Sequence, residues 1–258
     1  MIAALRRPGV RLAILGVGAY LVFLAVNLPA AWLGSALERA SGGTLALGDA
    51  SGTVWNGRGA LALRSGGAYR RIAELEWRCN PLWILTGRLN VALSGRAPEA
   101  QLRANASFGF GNVRVRDVEV SAPASFLETT VVAVAFAKPD GQLHIAADSV
   151  EAGKDGVRGA ASVEWTDAGL SGFSARRLGD YRLQITGNGD RAELKLATLR
   201  GDLRLDAQGE WRASQPRILQ LRGTAEAAPE RKDLESLMQA LGIRGSGSSR
   251  PFSWTLPI

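Results

Sequence analysis

The sequence predicts a mainly β protein in which a single N-terminal transmembrane helix precedes a long, twisted antiparallel sheet. Three observations support this fold class: an uncharged apolar run near the start, an alternation of apolar and polar residues from about residue 44 to residue 226, and turn residues at hairpin spacing between the alternating segments. One short amphipathic helix is expected near the C-terminus. Residues 1–33 are therefore expected to form an arm and an anchor, and residues 34–258 a β-rich domain.

The apolar run from Leu12 to Leu33 contains no ionisable side chain and follows three arginines, Arg6, Arg7 and Arg11. Its 22 residues would form a helix about 33 Å long, which suffices to cross a bilayer core of about 30 Å. A cleaved signal peptide is the alternative, but its apolar region is shorter and no Ala-x-Ala triplet follows this run. Because basic residues favour the cytoplasmic side, we expect the arm in the cytoplasm and the rest of the chain in the periplasm of a bacterial cell.

The alternating segments are typical of strands with one apolar face and one solvated face. Alternation is clearest at residues 102–108, 181–186 and 203–206. Parallel strands would need helical crossovers, so the short turns between segments predict an antiparallel meander. The turn signals lie at Gly66-Gly67, 109–112, 139–141, 154–156, 167–169, 187–190 and Gly201-Asp202. The pattern does not decide whether the sheet curls into a half-barrel, pairs in a sandwich-like arrangement or holds lipid.

Two helices are predicted beside the sheet. The first continues from the anchor through Trp32 and Ala40 and ends near Gly42-Gly43. The second runs from about Pro229 to Leu241, because four apolar residues recur at helical spacing and a glycine follows: Leu234, Leu237, Met238, Leu241 and then Gly242. A loop at 245–249 leads to a final alternating strand around residues 252–256.

Composition argues against several function classes. The 31 basic and 24 acidic residues form no block of like charge, so nucleic-acid binding through a basic patch is not expected. One histidine, His144, and one cysteine, Cys79, are too few for a zinc site, and no phosphate-binding loop, GxSxG or HExxH motif occurs. Alternation places His144 on a solvated strand face and Cys79 on the apolar side with Leu75 and Trp77. No enzymatic activity, cofactor or metal is expected.

The most distinctive motif is the block Ser51-Gly52-Thr53-Val54-Trp55-Asn56-Gly57-Arg58. A glycine beside tryptophan in a strand indicates that a large ring lies across a position without a side chain, or that the strand bulges. The Gly-Arg pair recurs in a second block, which suggests one geometry used twice, and a structural purpose is favoured over ligand binding. The second block contains Trp77, Pro81, Leu82, Gly87 and Arg88.

Together these features resemble the family of type II secretion system protein N. The resemblance covers nearly the whole chain and rests on the basic arm, the span closing in Leu28-Pro-Ala-Ala31, the two motif blocks, Leu178-Gly-Asp-Tyr181, and a leucine-rich helix before a last strand. It implies a bitopic inner-membrane accessory component of the machinery that secretes folded periplasmic proteins across the outer membrane. The implied role in protein transport is structural and non-enzymatic, and the implied partners are other secretion-system subunits and the lipid bilayer.

The periplasmic part is also similar in style to AsmA-like and lipopolysaccharide-transport proteins, whose curled sheets present an apolar groove. Two function hypotheses therefore stay open. The first is a scaffold that recognises neighbouring subunits through its sheet edges or a Trp-rich surface. The second is a lipid-binding or lipid-transport protein that holds lipid in the sheet groove. A hydrolase is the third and weakest hypothesis, since no nucleophile with a paired base can be singled out.

Overall fold

The structure, a computed structural model, describes residues 8–65, 68–81, 87–127, 137–173, 175–212, 214, 218–243 and 248–257. Within those ranges the chain forms three α-helices and thirteen β-strands, which confirms the mainly β prediction. The chain divides into two compact units, Met1–Val91 and Ala92–Ile258.

The first unit contains two helices and three strands in the order α1, α2, β1, β2, β3, and β4 begins at its end. Strands β1 to β3 pair antiparallel in sequence order, with Leu47 opposite Leu61 and Gly57 opposite Trp77. The bounds are α1 (Pro8–Val26), α2 (Ala31–Ala40), β1 (Leu45–Gly52), β2 (Asn56–Ser65), β3 (Ala68–Cys79) and β4 (Leu89–Ala97).

The second unit holds one open antiparallel sheet whose strands β5 to β13 follow one another in sequence order, not the two packed sheets of a sandwich. The predicted antiparallel meander is therefore confirmed. The bounds are β5 (Ala100–Phe108), β6 (Asn112–Pro123), β7 (Pro139–Gly153), β8 (Gly156–Leu170), β9 (Ala175–Gly189), β10 (Arg191–Gly201), β11 (Leu203–Arg212), β12 (Ile218–Ala227), α3 (Lys232–Ala240) and β13 (Ser249–Pro257).

The core of the second unit lies between α3 and the sheet. Three of the four residues of the predicted apolar stripe, Leu234, Leu237 and Met238, are at most 1% exposed, and the fourth, Leu241, is half-buried just after the helix. The helix begins at Lys232, three residues after the predicted start, and ends before Gly242, whose φ is +76°. The buried cluster combines helix and strand residues: Leu203, Leu221, Leu234, Leu237, Met238, Ile243 and Phe252.

The apolar N-terminal run is not one continuous helix, which corrects the prediction that the first helix continues from the anchor. α1 ends at Val26 and α2 begins at Ala31, so the last seven residues of the predicted span belong to a turn and to α2. Pro29 explains the break, because it restricts the preceding residue to extended backbone, and it forms an antiparallel bridge with Thr53. α2 ends just before Gly42, as predicted. Across the part of the chain that the structure describes, no helix combines the length and apolarity needed to cross a membrane.

Two predicted turns are wrong, because they lie inside strands. Residues 139–141 begin β7, and residues 167–169 form an irregularity near the end of β8, where Asp167 has a φ of +49°. Glycine and aspartate adopt positive φ in bulges as well as in turns, so the sequence signal is the same. The turns at 109–112, 154–156, 187–190 and Gly201-Asp202 are confirmed, whereas Gly66-Gly67 lies outside the described residues.

Candidate functional site at the end of helix α1

The distinctive block at residues 51–58 forms the tight turn between β1 and β2. The backbone N–H of Thr53 donates to the carbonyl of Asn56 at 2.9 Å, and the N–H groups of Trp55 and Asn56 donate to Thr53 Oγ1 at 3.3 and 3.1 Å. Gly52 has a φ of +90°, and a Cβ there would lie 2.5 Å from the carbonyl oxygen of Asn56. Threonine and glycine at these two positions therefore determine the turn.

The same turn holds the C-terminal end of α1. The indole Nε1–H of Trp55 donates to the carbonyl of Ala25 at 2.7 Å. The side chain and the backbone N–H of Asn27 both donate to the carbonyl of Phe23, at 2.8 and 3.1 Å. A helix leaves its last four carbonyls without helical partners, so these donors cap α1.

The chain that leaves α1 runs as a short extended segment against the turn. The N–H of Ala30 donates to the carbonyl of Gly52 at 3.1 Å, and the N–H of Val54 donates to the carbonyl of Leu28 at 2.9 Å. Ala30 is 1% exposed. We call residues 25–30 together with 51–58 the joint, because two backbone hydrogen bonds and one indole hydrogen bond connect α1 to the first strands.

Trp77 supports the joint from the apolar face of β3. Its ring is 3% exposed, and its Nε1–H donates to the carbonyl of Thr53 at 3.2 Å. A Cβ at Gly57 would lie 2.5 Å from Cζ2 of this ring, and the pairing of β2 with β3 is regular there. The expected ring across a glycine is therefore present at Gly57. The alternative, a bulge, also occurs beside it, because the pairing of β1 with β2 shifts register between Gly48 and Ser51. Cys79 lies half-buried two residues further along, as its alternation predicts, and burial raises the pKa of its thiol.

Helix α2 packs against β1 and is held at its far end by β3. Gly34 is buried, and a Cβ there would lie 3.0 Å from the carbonyl oxygen of Leu47. The hydroxyl of Tyr69 donates to Glu38 Oε1 at 3.0 Å, and this hydrogen bond raises the pKa of Tyr69. α2 is thereby fixed along β1.

The opposite face of the joint is polar and open to solvent. Arg58 and Arg78 are exposed, and Arg58 Nε donates to Ser51 Oγ at 3.4 Å. Among the residues with described side chains, neither arginine has a carboxylate oxygen within 4.0 Å. Both arginines line a cleft of about 240 Å³ with Ser51, Gly52, Asn56, Gly57, Glu76 and Trp77.

The second motif block is only partly described. Pro81 is half-buried, Arg88 is exposed, and Leu82 lies outside the described residues. Gly87 has a φ of +72° in the turn before β4, whereas Gly57 has an ordinary strand conformation. The expectation that both Gly-Arg pairs share one geometry is therefore wrong.

The three topology arginines contribute no described contacts. Arg6 and Arg7 lie outside the described residues. Arg11 lies in α1, and its side chain is also outside them. Their role in orienting the chain stays a prediction.

The structure reveals one polar row that the sequence analysis missed. Ser121 Oγ lies 3.0 Å from Nδ1 of His144, 23 residues away in the chain, and Glu164 follows in register on β8. His144 is exposed, as predicted. The carboxylate of Glu164 accepts a hydrogen bond from Arg182 at 2.8 Å, and among the described contacts the imidazole of His144 bonds to Ser121 and not to this carboxylate. In the described part of the chain, no three histidine, cysteine, aspartate or glutamate side chains lie close enough to hold a metal ion.

The Leu178-Gly-Asp-Tyr181 segment forms a buried polar cluster in the second unit. Asp180 accepts hydrogen bonds from the N–H of Asp167, at 2.8 Å, and from Arg200. The backbone hydrogen bond and the neighbouring guanidinium lower the pKa of Asp180. The buried hydroxyl of Tyr181 donates to the carbonyl of Leu203 at 2.8 Å, and burial raises the pKa of Tyr181. The motif therefore cross-links strands β8 to β11.

Comparison with known proteins agrees with the order of these features. The family model described as type II secretion system (T2SS), protein N, matches residues 43–253, a range that includes both motif blocks, the Asp180 cluster and α3. Neither the curated proteins nor the solved structures contain a match to this chain. Because the matched range covers most of the sequence, the chain belongs to the family of type II secretion system protein N and is an accessory component of type II secretion.

Proposed function

We propose that this chain is a single-pass inner-membrane component of the type II secretion machinery with a structural, non-catalytic role. Its N-terminal arm lies in the cytoplasm, α1 within residues 1–33 provides the anchor, and residues 34–258 lie in the periplasm. Family membership supports the part in secretion. The uncharged run from Leu12 to Leu33 and the arginines before it support the anchor and its orientation.

The surface of α1 adds support for a lipid environment. All its described side chains, residues 15–26, are exposed, and Leu21 and Phe23 are 58% and 62% exposed. A continuous apolar helix surface of this kind needs a covering, because large exposed apolar patches mark membrane or protein contacts. A bilayer covers a helix on all sides at once.

The joint is the single observation that carries the structural role. An anchor that only tethers a domain needs no specific contacts, yet here Trp55, Ala30 and Val54 each donate a hydrogen bond between the end of α1 and the first strands. These contacts fix the direction of α1 relative to strands β1 to β3. The chain therefore presents its first strands at a set orientation to the membrane, as a scaffold requires.

The sheet edges offer little for strand addition by a partner. β1 is bordered by α2 and by the extended segment at Pro29. β13 carries Pro251 and Pro257, which have no N–H to donate to an added strand. We therefore expect partner subunits to contact exposed aromatic side chains, such as Trp32 and Phe110, which are 65% and 95% exposed.

Site-specific photocrosslinking in secreting cells tests this proposal. A photoreactive phenylalanine analogue at Trp32 or Phe110 should crosslink the full chain to other subunits of the secretion machinery. The same analogue at Gln184, an exposed polar position on β9, provides the control. If neither aromatic position yields a secretion subunit above the control, and the detergent-extracted chain copurifies with none, the proposal is wrong.

A further inference from the structure

We infer that the cleft beside the joint binds the headgroup phosphate of an anionic phospholipid through Arg58 and Arg78. The inference rests on the proposed membrane anchor and goes beyond it, because an anchor needs apolar residues only. The headgroup phosphate would occupy the polar face of the joint that is open to solvent.

The position of the cleft follows from the capping of α1. Trp55 donates to Ala25 in the last turn of α1, and Arg58 lies three residues further along the chain. At about 3.3 Å per residue, Arg58 lies at most on the order of 10 Å along the chain from Trp55, and its long side chain extends its reach. The polar layer of a bilayer extends roughly 5 to 8 Å beyond each side of the hydrocarbon core. If α1 ends at the hydrocarbon boundary, both guanidinium groups reach the level of the headgroup phosphates.

The chemistry of the cleft suits a phosphate. A guanidinium group donates parallel hydrogen bonds to phosphate oxygens, and Ser51 and Asn56 add a hydroxyl and an amide. Both arginines are exposed and lack a carboxylate partner among the described side chains. Arg71, which lines the neighbouring cleft, differs in this respect, because it forms a salt bridge with Asp49 at 2.5 Å. Arg58 and Arg78 therefore have guanidinium groups available for an external anion.

Among the described residues that line the cleft, Glu76 is the one with an acidic side chain. It lies opposite Arg58 in the register of β2 and β3, so it faces the same side of the sheet. Its negative charge opposes an anionic ligand, and its removal should strengthen binding. Removing the charge of either arginine should therefore weaken lipid binding, and removing the charge of Glu76 should strengthen it.

Aromatic side chains around the joint also fit the membrane interface. Trp32, in the first turn of α2, is 65% exposed. Trp55, whose indole donates to the end of α1, is half-buried. Tryptophan is enriched at the headgroup level of membrane proteins. The arginines would then lie in the layer where tryptophan and phosphate both occur.

The test uses the full chain in nanodiscs that contain phosphatidylcholine and phosphatidylglycerol. Native mass spectrometry after release from the disc measures the ratio of the two lipids retained. A basic residue near an anionic surface contributes about fivefold in binding, so Arg58→Gln and Arg78→Gln should each lower the retained phosphatidylglycerol ratio about fivefold. Glu76→Gln should raise it. The matched control is the double variant Arg70→Gln/Arg103→Gln, which removes two exposed arginines outside the cleft and should leave the ratio unchanged.

The outcomes separate the two proposals. A chain that does not enter the nanodisc overturns both the anchor and the lipid site. Normal incorporation, with the cleft variants retaining the same lipid ratio as the control, overturns the lipid site and leaves the anchor intact. Because Glu76→Gln changes an exposed side chain, it keeps the test valid if an arginine variant fails to fold.

Discussion

Replacing Gly57 with alanine should damage the joint severely. The added Cβ would lie 2.5 Å from Cζ2 of Trp77, 2.6 Å from the carbonyl oxygen of Ser51 and 3.0 Å from that of Thr53. Normal carbon contacts begin at about 3.5 Å, so all three atoms would have to move. Two of them are backbone oxygens of the turn, which cannot rotate away as a flexible side chain would.

The expected cost follows from these contacts. One extra carbon in a well-packed site costs about 1 to 3 kcal/mol, and rigid backbone neighbours place Gly57→Ala at about 3 kcal/mol. Gly48→Ala is the matched control, since it lies in the neighbouring strand β1 and the nearest atom to its Cβ, the carbonyl oxygen of Ala60, is 3.9 Å away. This control should stay within about 0.5 kcal/mol of the parent chain.

Urea unfolding of the full chain in detergent, followed by tryptophan fluorescence, measures both variants. Gly57→Ala should shift the midpoint to lower urea with little change in slope. Combining it with Trp77→Phe should cost less than the sum of the two single changes, because the smaller ring relieves one of the three clashes. If Gly57→Ala and Gly48→Ala unfold at the same urea concentration, the close approach of Trp77 to Gly57 does not exist as described.

Three further predictions concern the cap of α1, the core of the second unit and the buried carboxylate. Trp55→Phe removes one hydrogen bond, worth about 1 kcal/mol, and should speed amide exchange of Leu28 and Ala30 about fivefold in hydrogen-exchange mass spectrometry. Unchanged exchange would contradict the cap. Leu237→Ala should lower the free energy of unfolding by about 2 to 5 kcal/mol. The control Leu199→Ala, at a position 46% exposed, should change it by less than about 0.5 kcal/mol. Equal urea midpoints for the two variants would contradict the core assignment. The hydrogen bonds that lower the pKa of Asp180 stabilise the folded chain above about pH 4, where the carboxylate is ionised in both the folded and the unfolded chain. This stabilisation is lost as the pH falls through the pKa of Asp180 in the folded chain. Asp180→Asn should therefore destabilise the chain at pH 7 and less at pH 3, unlike the exposed control Asp148→Asn, and the same loss at both pH values would refute the assignment.

The strands were predictable because one face of each is solvated. The alternation at 102–108, 181–186 and 203–206 corresponds to β5, β9 and β11. The spacing of the leucines likewise predicted α3. The break between α1 and α2 was not predicted, because an apolar run fits a continuous membrane span as well as a helix followed by a turn that packs on the first strands. Pro29 was the local signal that could have revealed it.

The joint was predictable only in part. A ring across a glycine was predicted from a tryptophan beside a glycine in one block, but the ring over Gly57 is that of Trp77 in β3, and this pairing depends on strand register. The hydrogen bond from Trp55 to Ala25 spans 30 residues and depends on where α1 ends, which no local pattern determines. The row from Ser121 to Glu164 depends in the same way on strand register, which hairpin spacing alone does not specify.

A fusion of alkaline phosphatase to the C-terminus of the full chain tests the membrane-anchored scaffold most directly, because this enzyme folds to an active form only after export. The fusion should be active, and carbonate washing should leave it in the membrane fraction. An inactive fusion, or an active one that carbonate releases from the membrane, would contradict an anchored domain on the periplasmic side.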